Sequence, residues 1–386
     1  MFGKFQDKIN AIMKRIKEIQ RQSPSNQSGE LEAALQAELT EWLLQSETLW
    51  CQKSRELWLK LGDKNSKFFH SSTIVRRKRN SIDAIRDGNG SWTTEGNAIR
   101  KRFLDHFKDL FQQNEADFPP HFKHLVLLCI TEDENAELCK IPSQDEIKGT
   151  LFSMNDLKAP SPNGFQAIFY KKLWPTIGNT VINAITSFFI RGTMPREVNS
   201  SLIVLIPKIS NPTTVNHFRP ISLCNVVYKI IPKILVAKLR PLLDKIISPA
   251  QFAFIPNRWI TKNQVIVQEF LHSFKSWKTK PGLVAIKLDL QKAYDRISWD
   301  FIHAVLLHLG FNEVFSNWIL NCVSSVSFEI LVNGGKSKCF KPSRGLRQRD
   351  PLSPYLFILG QEVLSWMLDK EMRQRNLCLE LVEVDP

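Results

Sequence analysis

Residues 287–300 read KLDLQKAYDRISWD. They close an apolar run, GLVAIKLDL at 282–290, whose composition predicts a buried strand that ends near Asp289. A carboxylate at a strand end is held rigidly and can face a cleft, where it can bind a hard cation such as Mg²⁺. The same carboxylate can instead cap the helix that follows. One aspartate cannot decide between these two roles, so the decision rests on the rest of the chain.

The chain as a whole is long and basic. Its 386 residues are enough for two or three domains with a sizeable core. Lysine and arginine number 52 against 38 acidic residues, which gives a net charge of +14. Such an excess favours a polyanionic partner, most simply nucleic acid, and a basic protein without a special partner is the alternative.

The cysteines and the apolar runs argue against several classes of protein. Seven cysteines without a C-x-x-C pair predict a reducing compartment and no disulfide partner. His121 and His124 precede Cys129 and Cys139, but this spacing matches no common zinc pattern. No apolar run is long enough for a membrane span, and the N-terminus lacks a secretory core, so we expect neither a membrane partner nor secretion.

Helical patterns dominate the front of the chain, and mixed patterns follow. Residues 1–60 show helical periodicity, and the next stretch is basic with interspersed aromatic residues. Its run Arg76, Arg77, Lys78, Arg79 suits a nucleic-acid surface, since cations neutralise phosphates and rings stack on bases. A solvated turn or a nuclear targeting run is the alternative. From residue 200 onward strands and helices alternate, which predicts an α+β fold.

Two cations stand at the ends of a predicted hairpin. The stretch LIVLIPKISNPTTVNHFRPISLCN at 202–225 places Lys208 at the end of one strand and Arg219 at the start of the next. Cations at facing strand ends can hold a triphosphate, the arginine in bidentate fashion. Two ordinary surface cations are the alternative.

A second loop of interest follows another predicted hairpin, SFEILVNGGKSKCFKPSRG at 327–345, in which Asn333, Gly334 and Gly335 supply a positive-φ turn. SRGLRQRDPLSPYLFIL at 343–359 begins with a polar connection that includes Gln348 and that we expect to be flexible. Asp350 or Ser353 then caps a helix that starts among prolines. By itself this stretch indicates only a well-capped helix start. It indicates a function only together with the strand that carries Asp289.

Together these blocks resemble the reverse transcriptases of non-LTR (LINE-type) retrotransposons, in particular the plant kind. LKAPSPNGFQAIFYKKLW, LIPK with FRPISLCNVVYKI, QFAFIPNRWITKNQVIVQE, KLDLQKAYDRISWDFI and GLRQRDPLSPYLF occur in the family's order. The resemblance implies an incomplete right-hand polymerase, fingers and part of the palm, behind a basic helical region. It divides the chain into a spacer at 1–118, an N-terminal extension of the fingers at 119–199, and fingers with a truncated palm at 200–386. A telomerase or group II intron relative is the weaker alternative.

The resemblance also implies roles for single residues. Asp289 would be a catalytic, metal-binding carboxylate with the Leu290 carbonyl as a second contact, in a two-Mg²⁺ site. Tyr294 would lie under the incoming sugar and exclude a 2′-hydroxyl. Lys208 and Arg219 would hold the triphosphate, and Gln348 would line the nucleotide pocket. The partners would be an RNA template, a DNA primer and dNTP, and the place of action the nucleus, with the cytoplasm as the alternative.

The sequence departs from the family pattern in ways that concern activity. The family completes its site with an aromatic-Ala-Asp-Asp turn, and no Asp-Asp pair occurs in these residues. Asp295 follows a turn and more often caps or pairs locally. Arg349 and Asn257 stand where the family has glycine, Ser161 and Asn163 where it has Gly and Asp, and Lys262 where it has Asp. We therefore expect a truncated and inactive polymerase, with a nucleic-acid-binding remnant or a chain that cannot fold as the alternatives.

Overall fold

The computed structural model describes residues 2–21, 26–54, 66–112, 128–159, 162–276 and 286–375. The chain divides into two compact units, Met1–Ser81 and Ile82–Pro386. The predicted boundary at 118/119 lies outside the described residues, as do His121 and His124. None of the described helices combines the length and the apolar character that a membrane crossing requires.

The first unit is helical, as its periodicity predicts. It contains α1 (Phe2–Gln20), α2 (Asn26–Ser54) and α3 (Ser66–Arg79). Ile12, Ile16 and Ile19 share one side of α1 and pack against Leu35 of α2 in a small core. α3 packs on α2. This unit therefore has its own modest apolar core, in agreement with the helical periodicity of its sequence.

The second unit mixes helices and strands, as the alternating patterns predict. Its elements are β1 (Ile85–Arg86), β2 (Trp92–Thr93), α4 (Gly96–Leu110), α5 (Glu132–Leu138), α6 (Gln144–Phe152), α7 (Ala167–Lys172), α8 (Trp174–Arg191), β3 (Ser200–Pro207), β4 (Phe218–Cys224), α9 (Val226–Leu239), α10 (Leu243–Ile246), α11 (Thr261–Ser276), α12 (Ala293–Arg296), α13 (Trp299–His308), α14 (Glu313–Ser324), β5 (Ser327–Val332), β6 (Gly335–Lys336) and α15 (Ser353–Arg375). Short 3₁₀ turns occur at Val215–His217 and Arg240–Leu242.

A four-stranded sheet organises this unit. Its order is β4-β3-β5-β6, with β3 antiparallel to β4 and parallel to β5. α4 packs Phe103 and Phe107 against Ile203 of β3 and Ile330 of β5 in one apolar cluster. A larger cluster joins helices α6, α8, α9, α13, α14 and α15. The sheet and α4 together fix the end of the β3–β4 hairpin, where the candidate site lies.

Local turn chemistry agrees with the sequence. The predicted hairpin at 327–345 turns at Asn333 and Gly334, which have positive φ angles of 49° and 84°. The Asn333 amide also donates to the Ile82 carbonyl at 2.8 Å and accepts from the Ile82 N–H at 2.9 Å. The turn therefore ties β5 and β6 to the start of the second unit.

The strand predicted at 282–290 is the main local error. Residues 286–290 belong to no strand and are exposed, with Ile286 at 76% and Leu288 at 65%, while 282–285 lie outside the described residues. A strand needs a neighbour for its N–H and C=O groups, and no described segment pairs with 286–290. Apolar composition alone therefore did not suffice to make this segment a strand.

Candidate functional site

A small cavity of about 110 Å³ opens at the end of the β3–β4 hairpin beside α4. It is lined by His106, Phe107, Leu110, Lys208, Val215, Asn216, Phe218, Arg219, Pro220, Lys292, Asp295 and Gln348. Three of the four predicted nucleotide-binding residues are in this set. The fold thus brings together the predicted residues Lys208 and Gln348, which are 140 positions apart in the sequence.

The hairpin register explains why the two predicted cations meet. Ile206 pairs with Arg219, and Lys208 follows the last paired residue of β3. The Lys208 N–H donates to the His217 carbonyl at 2.8 Å, which closes the connection between the strands. Among the described residues neither cation forms an ion pair with a carboxylate. The predicted hairpin is confirmed, and it carries two cations without a short ion pair at one end.

A third cation, Lys292, enters the same cavity from another part of the chain. Its Nζ donates to Asn216 Oδ1 at 2.8 Å and lies 3.2 Å from His106 Nε2. Burial, helped by the charge of Lys292, lowers the pKa of His106 to about 4. The imidazole is therefore neutral near pH 7, and its Nε2 can accept a hydrogen bond from the ammonium group.

A buried acid and an amide complete the lining. Asp295 is 4% exposed, and Gln348 Nε2 donates to its Oδ1 at 3.3 Å. Burial raises the pKa of Asp295, while the Gln348 hydrogen bond opposes this effect. The Gln348 carbonyl accepts from the Ser222 N–H at 3.2 Å, which fixes the loop against β4. Gln348 is therefore held from two sides at the cavity wall.

The residue before Gln348 anchors the loop in the interior. The Arg347 guanidinium is buried, 5% exposed, and donates to Asn199 Oδ1 at 2.5 Å and to the Cys322 carbonyl at 2.8 Å. It forms a 3.0 Å ion pair with buried Asp350 and contacts Tyr228, whose hydroxyl donates to Asp350 at 2.7 Å. The prediction of a flexible connection is wrong, because a buried charge network fixes it.

Backbone strain occurs where the family pattern has glycine. Arg349 has φ of 74° and Asn257 has φ of 64°, in the left-handed region that favours glycine. The side chain of Arg349 is exposed and does not line the cavity, so it does not obstruct the cavity. The departure from glycine acts on the backbone of the loop rather than on the cavity.

The other predicted site residues lie apart from the cavity lining. Asp289 and Leu290 are exposed. The Tyr294 ring stacks on Phe357 of α15, with ring centres 4.8 Å apart and planes at 17°. No cluster of three acidic, histidine or cysteine side chains suited to a metal occurs among the described residues. Asp289 with the Leu290 carbonyl supplies fewer ligands than a two-ion centre needs, so these residues alone do not fit one.

The basic run ends α3 in the first unit. Arg77, Lys78 and Arg79 are exposed there, and Arg76 is half-buried. Cations in the last turn interact favourably with the negative end of the helix, so this placement has a structural reason too. The three exposed cations of the run nonetheless suit contact with a phosphate backbone.

Sequence reasoning missed three cavity residues, His106, Asn216 and Lys292. Lys292 stood inside the quoted KLDLQKAYD block and could have been noticed as a cation near Asp289. Asn216 lies in the hairpin connection, where polar residues are common. His106 lies in a stretch that we predicted to be a spacer, and nothing local signals its part in the cavity.

Part of the chain is similar to a known protein family. Residues 206–379 match the reverse transcriptase (RNA-dependent DNA polymerase) family. This range contains Lys208, Arg219, Lys292 and Gln348, whereas His106 precedes it. The predicted resemblance to reverse transcriptases is thereby confirmed, over the part of the chain that builds most of the cavity.

Similar proteins come from transposable elements. The chain is 25% identical to the transposon TX1 uncharacterized 149 kDa protein of Xenopus laevis over 80% of its own length and 24% of that protein. It is 27% identical to the Pol polyprotein of the type-2 retrotransposable element R2DM of Drosophila melanogaster, over 77% of its length and 29% of the relative. The chain therefore spans about a quarter of the length of these relatives.

Proposed function

We propose that this chain is the fingers-and-palm region of a LINE-type reverse transcriptase, with the cavity as the binding site for the triphosphate of an incoming dNTP. The observation that carries the proposal is the convergence of Lys208, Arg219 and Gln348 on one cavity in the region that matches the family. The extension assigned to 119–199 and the spacer at 1–118 remain predictions.

The chemistry of the cavity suits a polyphosphate. A triphosphate brings several negative charges, and two hairpin cations without carboxylate partners can neutralise part of them. The guanidinium of Arg219 can bind two phosphate oxygens at once, while Lys208 acts as a point charge. Phosphoryl transfer depends chiefly on positioning and on charge stabilisation, and a preorganised cation pair supplies both.

The remaining roles are part of the same proposal. Asp289 and the Leu290 carbonyl would supply part of a divalent-metal site that needs further ligands, and Tyr294 would exclude a 2′-hydroxyl on the incoming sugar. Reverse transcriptases use divalent metal ions, which assist the attacking and leaving oxygens. The 386 residues contain no Asp-Asp pair. A polypeptide of this sequence alone is therefore expected to bind dNTP without extending a primer.

Nucleotide binding gives a direct test. Binding of Mg²⁺-dATP to the purified chain is measured by calorimetry, with Lys208→Met and Arg219→Met as variants. Each loses a charge-assisted contact, so affinity should fall about tenfold or more. Lys338→Met removes a charge from an exposed position outside the cavity and serves as the control. Equal affinity in all four proteins would refute the proposal.

A second candidate function is nucleic-acid binding without catalysis. The net charge of +14 and the exposed Arg77, Lys78 and Arg79 favour it, with RNA template and DNA primer as ligands and the nucleus as the place of action. If these cations contact phosphates, the logarithm of the RNA affinity falls linearly with the logarithm of salt concentration. An affinity that does not respond to salt would exclude this function.

A further inference from the structure

We infer that Lys292 is a third phosphate-binding cation of the cavity, positioned by His106 of α4 and Asn216 of the hairpin connection. The inference rests on the proposed nucleotide site and extends it. It assigns a role in binding the substrate to a helix that precedes the matched family region. The predicted spacer would then contribute directly to substrate binding.

The geometry gives Lys292 a fixed position. Its Nζ contacts Asn216 Oδ1 at 2.8 Å and His106 Nε2 at 3.2 Å, which are groups on two different elements. An ammonium group has three N–H donors, and these two contacts use two of them. A third donor remains for a ligand in the cavity that Lys208 and Arg219 also line. The two hydrogen bonds therefore hold the Lys292 ammonium group in a defined position, as is typical of a lysine that binds a ligand.

The charges around Lys292 point to an anion. Both of its hydrogen-bond partners are neutral: one is an amide, and the other is an imidazole with a lowered pKa. The one carboxylate in the cavity lining, Asp295, is hydrogen-bonded to Gln348 and interacts electrostatically with both Lys292 and Lys208, so a single acid is shared between two cations. Here three cations share a cavity with a single acid, and a polyphosphate is the ligand that balances this charge.

The position of α4 is also specific. α4 packs Phe103 and Phe107 on the sheet, and this packing sets the direction in which His106 faces the cavity. The His106 and Phe107 rings meet edge to face, with centres 5.3 Å apart, which limits rotation of the imidazole. His106 is thus a positioning residue that acts through Lys292.

The test measures binding of inorganic tripolyphosphate and of Mg²⁺-dATP to the full chain. Lys292→Met should weaken both about tenfold, because one charge-assisted contact is lost. Asn216→Asp should weaken them at least as much, since its new carboxylate would pair with Lys292. His106→Gln keeps a hydrogen-bond acceptor and should stay within about threefold of the wild type, whereas His106→Leu should lose more. Lys338→Met is the matched control.

The outcomes separate this inference from the proposed function. If Lys208→Met weakens binding and both Lys292→Met and Asn216→Asp bind like the wild type, the inference is wrong and the proposed function stands. If the wild type binds neither ligand, or Lys208→Met has no effect, the proposed function fails and the inference with it. If Lys292→Met weakens binding of an RNA oligonucleotide but not of dATP, the cavity serves the nucleic-acid backbone and the inference is overturned. Thermal unfolding of each variant confirms that the fold is retained.

Discussion

Two segments that looked equally decisive in the sequence behave differently in the structure. The loop at 345–350 is fixed by the buried Arg347 network, whereas residues 286–290, which carry Asp289, are exposed and belong to no strand. The loop finds its partners on β3, α9 and α14, all of which the structure describes. The exposed segment has no described neighbour strand. A motif residue is therefore held in a defined position only where other elements form hydrogen bonds with the polar groups of its segment.

The largest expected effect comes from replacing Arg347, the buried residue that holds the loop at 345–350. Arg347→Ala should destabilise the chain by about 3–5 kcal/mol, because Asp350 would remain as a buried, unpaired charge. Asp289→Ala should change stability by less than about 0.5 kcal/mol. Urea unfolding followed by tryptophan fluorescence measures both. Similar effects at the two positions would contradict the contrast.

A matched double variant sharpens the result. Arg347→Met with Asp350→Asn removes both charges, so it should recover a large part of the stability lost in Arg347→Ala. If the double variant is no more stable than Arg347→Ala, lost packing rather than the orphaned charge explains the cost. A cooperative transition of the wild type would also exclude the alternative that this chain cannot fold.

The next test concerns the start of the anchored loop. Gly345 has φ of 93°, and a Cβ there would lie 2.7 Å from the Asp295 carbonyl and 2.8 Å from the Phe111 ring. Gly345→Ala should therefore cost about 2 kcal/mol or more. Gly334→Ala, with φ of 84° and no neighbouring atom within 4 Å, separates backbone strain from the steric clash. Equal losses in the two variants would show that the clash contributes nothing.

Dependence of stability on pH tests the packing of α4 against the cavity. The pKa of His106 is lowered from its ordinary value of 6.5 to about 4, chiefly by burial. Its contribution is therefore complete above pH 6.5 and is lost as pH falls toward 4, because the unfolded chain binds the proton first. His106→Gln should remove roughly 1–2 kcal/mol of this dependence, allowing for screening by solvent. An unchanged profile in the variant would show that other groups cause it.

The smallest expected effect comes from the strained residue beside the anchor. Arg349→Gly should raise stability by about 0.5–1 kcal/mol, because relief of the positive φ exceeds the added entropy of the unfolded chain. Asn257→Gly should change stability less, since asparagine tolerates this conformation better than arginine. Chemical denaturation of the two variants gives the comparison. A larger gain at Asn257 would mean that the loop at 349 is not strained.

The sequence predicted what depends on local chemistry. The β3–β4 hairpin and the turn at Asn333 and Gly334 follow from strand composition and positive-φ residues. The helix that begins at Ser353 follows from the prolines at its start. Lys208 and Arg219 were found because a hairpin brings its own ends together. These features require contacts only within a few tens of residues, which a pattern can encode.

The unpredicted features depend on contacts distant in sequence. His106 meets Lys292 across 186 positions, and Arg347 meets Asn199 across 148. No local pattern distinguishes a buried arginine from an exposed one in the stretch GLRQRD. The strand predicted at 282–290 is absent over the described residues 286–290 for the same reason. A strand needs a paired neighbour, and the composition of a segment does not reveal whether one is present.

The Arg347 network also constrains how this chain can change by mutation. Each of its members satisfies the others, so any single replacement leaves a buried donor, acceptor or charge without a partner. A route to a fully apolar interior at this point has to pass through intermediates that fold poorly. Mutational drift will therefore alter exposed positions such as Asp289 well before it alters the loop. The shape of the cavity wall is therefore expected to persist under mutation longer than the catalytic activity.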